Sequence, residues 1–323
     1  MAKTSAETFL KVLDGDVATM QKFADAATSG ESQFWDRDYP YGAHTIGTII
    51  LEDVRDASSR YGFMGKVLAG RVVKAGEVIR YDKDLDVTAY ALAGDGTIEE
   101  IQNGHYVYPD EFEVSFVLEF PDEATDGEKF FKDLKQKALE KIITIQDTAL
   151  FTLLRYVTDA KNPNTSNNFE ELFRSLIYEI ESNRILAEFI LLNSNTTKTF
   201  INRVVAEGKS EWIDPIVQLE LIKAGYLGKY VNGSSSVILT AAADVGTNPF
   251  PEDTVYVTAP SAYVGGAPVR LDLFVEPINQ SVKDGKWKKG LFFYKLISMV
   301  VVNPKTVACG RLTDYQLLDP VGL

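Results

Sequence analysis

Between residues 111 and 120 polar and apolar positions alternate, Val117 being the one exception. Phe112, Val114, Phe116, Leu118 and Phe120 fall on one face of an extended chain, and Glu111, Glu113, Ser115, Val117 and Glu119 on the other. That period of two predicts a half-buried strand. Upstream, GKVLAGRVVKAGEVIRYDKDLDVTAYALAGDGTIEEIQNGHYVYPDE (65–111) contains strand-like pieces separated by glycines and by Ala93-Gly94-Asp95-Gly96, and is too polar for a core sheet. It predicts a long β-hairpin projecting into solvent. Two strands with no third element are marginal in water, so the hairpin implies a partner surface. Residues 1–42 hold short helical patches, a break at Ser29-Gly30 and the aromatic cluster QFWDRDYPYG, with no lasting period. They read as an arm lying on something else.

The period changes after Phe120. Thr125-Asp126-Gly127-Glu128 has the form of a capping box, with Thr and Glu placed to satisfy the backbone N–H groups of a first helical turn. Phe131, Leu134, Ala138, Ile142, Ile145, Ala149, Leu153 and Val157 then recur at spacings of three and four. They predict one helix over about 126–159, roughly 50 Å long at about 1.5 Å per residue. Such a rod is far longer than an ordinary globular helix, and no heptad charges mark it as a coiled coil.

Lys161 to Asn168 form a polar, proline-containing break, and beyond it the pattern reads as α/β. An Asn168-capped helix with Phe169, Leu172, Phe173, Leu176, Ile177 and Ile180 on one face is followed by a strand over Ile185–Leu192. Helices are expected over about Thr197–Ala206 and Asp214–Ala224, the second closed by Gly225. Strands are expected over Val237–Ala241 and Thr254–Thr258, and Val269, Leu271, Leu273 and Val275 alternate with polar residues ahead of a turn at Asp284-Gly285. From Leu291 to Val302 nearly every side chain is apolar, Lys295 and Ser298 excepted, and Asn303-Pro304 closes the run. No internal repeat of useful period is present.

Composition narrows what that apolar run means. A membrane span needs roughly 20 apolar residues, and this run has about half that number and carries a lysine. The N-terminus scatters Lys3, Lys11, Asp14 and Asp16 where a signal peptide would be continuously apolar. A soluble, intracellular chain with no membrane contact is expected. With 46 acidic and 33 basic residues the net charge is −13, which disfavours wrapping a nucleic acid, although not enclosing one. The single Cys309 excludes an intrachain disulfide and a Cys-built zinc site, and reads as a small buried apolar residue.

No set of catalytic residues emerges, so no enzymatic activity, cofactor or metal is expected. His44 and His105 are about sixty residues apart, with no nucleophile-elbow serine or cysteine. No phosphate-binding loop, dinucleotide fingerprint or zinc-protease motif occurs. Asp82, Asp84 and Asp86 have the spacing of calcium ligands, but Val87 and Ala93 stand where an EF-hand loop needs Gly and Glu. On a strand they would share one solvated face. Lys286, Trp287, Lys288 and Lys289 read as the flank of a hairpin turn with lysines in water, against the alternative of a phosphate patch.

The order of arm, long hairpin, very long helix, α/β region and final apolar strand resembles the Hong Kong 97 fold of tailed-bacteriophage major capsid proteins. Three stretches carry the resemblance: Leu191-Leu192-Asn193-Ser194-Asn195-Thr196-Thr197, as strand, asparagine and helix start; Ala224 to Gly233, as a helix-to-glycine turn before a strand; and Phe293 to Lys305, as the C-terminal strand. It implies an α+β chain with an N-terminal arm (1–42), a link (43–59) and an extended loop (60–107). A peripheral domain (108–164 and 290–323) would hold the spine helix of about 126–159, and 165–289 would form an α/β axial domain. Leu291–Val302 would be a peripheral strand buried on both faces.

The function so implied is structural. Copies of the chain would assemble as pentamers and hexamers into an icosahedral shell around double-stranded DNA, without sequence-specific binding, in the virion after assembly in the host cytoplasm. Scaffolding, portal and decoration proteins are left open as further partners. Some members of the family crosslink a loop lysine to a neighbour's asparagine. Lys66, Lys74 and Lys83 lie in the loop and Asn303 in the strand, but lysines on hairpins are ordinary and no crosslink is expected. The alternative in the same fold is an encapsulin-like nanocompartment enclosing an enzyme cargo. A hydrolase with an acidic cleft would need convergent carboxylates or a nucleophile with its base, which the sequence does not offer.

Overall fold

The computed structural model describes residues 51, 54, 62–74, 76–119, 127–159, 163–193, 196, 197, 199, 200, 226–229, 237–240, 250, 253–283 and 286–313. Residues 1–42, His44, the cap Thr125-Asp126, the helix expected over Thr197–Ala206 beyond Phe200, the helix expected over Asp214–Ala224, the turn Asp284-Gly285 and the side chains of 286–289 lie outside the described residues. The fold is α+β. It divides into two compact units: Met1–Arg60, Glu113–Ile143 and Leu271–Leu296 in one, and Tyr61–Phe112, Thr144–Arg270 and Ile297–Leu323 in the other.

In the first unit, strand β6 (Phe112–Glu119) follows the alternation of its sequence. Val114 and Leu118 are buried, Phe116 is half-buried, and Glu113, Val117 and Glu119 face water. β6 neighbours β13 (Lys286–Ile297), which in turn neighbours β12 (Gly265–Lys283). Phe116 stacks on Phe293 with ring centroids 4.8 Å apart. Gly290 permits the approach, since a Cβ there would stand 2.5 Å from the Leu118 carbonyl oxygen.

The long helix forms as its stripe predicts: α2 spans Gly127–Asp159. Its character changes along its length. In 132–141 only Leu134 and Ala138 are buried, one side of a solvated rod. From Ile142 onward Ile143, Gln146, Asp147, Leu150, Phe151, Leu153, Leu154, Val157 and Thr158 are buried too, so this half is enclosed on most sides.

In the second unit, β7 (Asn164–Ser166), β8 (Phe189–Leu192), β9 (Tyr226–Lys229), β10 (Val237–Thr240), β11 (Thr254–Thr258) and β15 (Val307–Leu312) form a sheet in the order β7-β15-β11-β8-β10-β9. Pairing is mixed: β8 with β10 and β7 with β15 are parallel, while β11 is antiparallel to β8 and β15. β15 thus shares a sheet with strands that the expected division assigned to another domain. Helix α3 (Phe169–Glu181) is capped by Asn168, whose side chain accepts from the Glu170 N–H, and buries all six residues read onto its apolar face. The next strand is shorter than expected. Arg184 at φ 64° turns the chain, and extended pairing begins only at Phe189.

The second unit also contains α1 (Met64–Val67), β1 (Ala69–Val72), β2 (Tyr81–Asp82), β3 (Ala89–Leu92), β4 (Ile98–Ile101), β5 (Tyr106–Val107), α4 (Ser261–Val264) and β14 (Val300–Val301). Two expectations are corrected there. The hairpin β3–β4 does not stand alone: β14 pairs with β3, and all four β3 residues are buried. The run 291–302 is not one doubly buried strand. Within β13 Phe292, Tyr294 and Leu296 are only half-buried, and Ser298-Met299 separate β13 from β14. The Ser298 N–H, donating to Pro268 O, marks that break in the ladder.

Candidate assembly surface

Residues 69–108 carry exposed apolar side chains on an anchored frame. At the base, β1 pairs in parallel with Gly266–Val269 of β12, and the Val73 N–H donates to Val269 O. The Arg270 guanidinium pairs with Glu111 and donates to Lys74 O, fastening the two ends of the segment together. β2 and β5 form a two-stranded ribbon, with Arg80 stacked over the Tyr106 ring at 4.4 Å.

Lys83 sits at the centre of this frame, nearly buried. Its ammonium donates to Val87 O at 2.7 Å, Gln102 O at 2.9 Å and Asp84 O at 3.2 Å. All three protons are directed at main-chain carbonyls, so the lysine ties the 83–87 turn to the strand leading from β4. The neighbouring acids are displaced from the strand face predicted for them. Asp84 and Asp86 lie in a turn closed by the Val87 N–H donating to Asp84 O, and Asp82, Asp84 and Asp86 all face water. No group of three or more His, Cys, Asp or Glu residues with metal-binding geometry occurs among the described residues.

A shallow cleft of about 190 Å³ lies beside this point, lined by Asp82, Lys83, Asp84, Val87, Val302 and Asn303. Lys83 and Asn303 are therefore brought to the same place. There the ammonium is engaged by three acceptors, and the Asn303 side-chain oxygen accepts from the Lys305 N–H to start a short 3-10 turn. Lys74 is exposed, and Lys66 is half-buried beside Asp147. Burial holds the Lys66 ammonium below its ordinary range, against the pull of the Asp147 charge.

Other candidate groups among the described residues are His105, Cys309 and Asp95. His105 is exposed next to Tyr106, and its main-chain oxygen accepts from the Lys83 N–H. Cys309 is buried in β15, as its lone occurrence suggested, and burial pushes its thiol up to about 12. Thr97 hydrogen bonds hold the fully exposed Asp95 below the usual carboxylate range and form the turn between β3 and β4.

What the segment does present is apolar surface. Val72 is 77% exposed, Val78 69%, Leu85 57%, Tyr108 57% and Tyr106 47%. Sequence reasoning placed an interacting hairpin here but gave no sign of the Lys83 brace. Its only signal was a lysine between two aspartates, which reads equally well as a solvated face. Among the described residues no helix is long and apolar enough to cross a membrane.

No family model matches the chain, and no curated protein matches it. Comparison with solved structures finds distant likenesses. The virus-like particle from Pyrococcus furiosus is 11% identical over 81% of this chain and 97% of its own, with a TM-score of 0.45. A structure from Microbacterium phage Oxtober96 is 11% identical over 76% and 89%, with a TM-score of 0.47. A phage-related protein from Bordetella bronchiseptica is 10% identical over 84% and 98%, with a TM-score of 0.46.

Proposed function

We propose that this chain is a shell-forming structural protein of the Hong Kong 97-like capsid type, whose copies assemble through surfaces and carry out no chemistry. The observation that supports it most is the pairing of a braced frame with exposed apolar side chains. Val72, Val78, Leu85, Tyr106 and Tyr108 face water on a segment fixed by the Lys83 carbonyl cage, the Arg270–Glu111 pair and the β2–β5 ribbon. A monomer gains nothing from exposing these groups, whereas a surface that is already ordered loses little entropy when a neighbour covers it. In this reading residues 60–107 are the extended loop, whose exposed side chains meet an adjacent subunit while β3 stays paired within its own chain, and α2 is the spine.

The finer reading is a phage major capsid protein in the virion, forming pentamers and hexamers around double-stranded DNA. The net charge of −13 suits a wall along which DNA slides without adhering. Electron microscopy of the protein expressed alone, and together with the products of adjacent genes, tests both levels. Closed shells or five- and six-fold rings support the assembly reading, and packaged DNA supports the finer one. A monomer of 35.8 kDa that persists at high concentration and high salt overturns both.

A further inference from the structure

Asp147 is a carboxylate set deep within the enclosed half of α2, wholly buried. One of its oxygens, Oδ1, accepts from the backbone N–H of Phe63 at 2.9 Å and of Met64 at 3.2 Å. These are the groups that open α1, far away in the sequence. Among the described residues the other oxygen, Oδ2, has no hydrogen-bond partner, and neither has the adjacent buried amide nitrogen of Gln146. Phe63 itself is inserted edge-on against Phe151, with centroids 5.3 Å apart, and against Phe250. Residues 62–68 thus meet α2 through the Phe63 ring and the Asp147 carboxyl group, with Met64, Val67 and Leu68 buried beside them.

We propose that Asp147 is a pH-responsive latch, which holds residues 62–68 against α2 while its carboxyl is neutral and loosens them when it ionises. An ionised carboxylate would grip the two N–H groups more strongly, but its charge would also rest on an oxygen that has no donor and no solvent. Burial outweighs both hydrogen bonds and the attraction of Lys66, and pushes the carboxyl up to about 7. Lys66, on α1, is the one charged group acting on it among the described residues. The neighbours from α2 and the Phe63 ring are neutral.

The sign follows from linkage. The closed state binds the proton more tightly than an opened state in which the carboxyl meets water at the ordinary value of 3.8. Below that value the latch is at its tightest. As pH rises toward about 7 opening becomes progressively easier, by up to roughly 1000-fold in its equilibrium constant, and above that the effect levels off.

Hydrogen–deuterium exchange of the full chain, followed by mass spectrometry from pH 5 to 8 and corrected for intrinsic exchange, tests the latch. Protection in peptides covering 62–68 should fall at least tenfold across that range, while a peptide covering 169–181 stays level. In Asp147→Asn the fall should vanish. Should that variant not fold, Lys66→Gln decides, because removing the ammonium that pulls the carboxyl down should move the midpoint to higher pH. Level protection in the unmodified chain overturns the latch, as does an unchanged fall in Asp147→Asn or an unmoved midpoint in Lys66→Gln.

Discussion

The phenol ring of Tyr81 occupies the space in which a side chain on Gly266 would stand. A Cβ at Gly266 would overlap the Tyr81 hydroxyl and ring carbons. The glycine is therefore what lets β2 close over β12, with Arg71 above the same ring at 5.9 Å. Gly266→Ala should destabilise the fold by about 1–3 kcal/mol through overpacking. The cost should shrink markedly in a Tyr81→Ala background, because the obstacle has gone. Urea denaturation of the four species in a double-mutant cycle measures the coupling. Equal costs in both backgrounds would mean that the two residues do not compete for space.

Lys83→Met should be more damaging than its place on a hairpin suggests. The methionine fills much the same volume but leaves the carbonyls of Asp84, Val87 and Gln102 without their donor. A loss of about 1–3 kcal/mol is expected from the stranded acceptors. Lys83→Arg should not restore it, since a planar fork does not match three convergent oxygens. Thermal unfolding of both variants provides the comparison.

At the start of α3 the prediction concerns one hydrogen bond. Asn168→Ala removes the acceptor for the Glu170 N–H and should cost about 1 kcal/mol. Asn168→Ser, which keeps an acceptor, should lose less than half of that. Chemical denaturation with unchanged slope would assign the difference to the cap.

Cys309 should be inert while the chain is folded. Its thiol, pushed up to about 12, carries almost no thiolate at pH 8, and the side chain is buried in β15. Iodoacetamide at pH 8 should leave it unmodified over hours and label it within minutes in guanidinium. Intact-mass spectrometry distinguishes the two, and rapid labelling of the folded protein would contradict the burial.

Local pattern was legible in the sequence, and long-range partnership was not. The stripe from Leu134 to Val157 has one period and one physical solution, so α2 could be read with its limits. The same holds for α3, where Asn168 marks the start and six apolar residues mark the face. β11 matches Thr254–Thr258 because a short β-branched run is bounded on both sides by turn-forming residues. The end of the chain was misread for a different reason. An unbroken apolar run does not reveal that Ser298-Met299 interrupt it, nor that Val300 and Val301 pair with Tyr90 and Ala91 some two hundred positions away. Lys83 and Asp147 were invisible as structural groups, because a buried charge depends on oxygens and N–H groups supplied by remote backbone.

Sedimentation velocity of the unmodified chain beside a Val78→Asp, Leu85→Asp, Tyr108→Glu variant tests the central claim most directly. All three side chains are exposed, so the variant should fold with essentially unchanged melting behaviour. If these groups are covered by neighbouring copies, the unmodified chain sediments as large closed particles or rings and the variant as a 35.8 kDa species. If both sediment alike, whether as monomers or as identical particles, the surface is not an assembly contact and the account built on it fails.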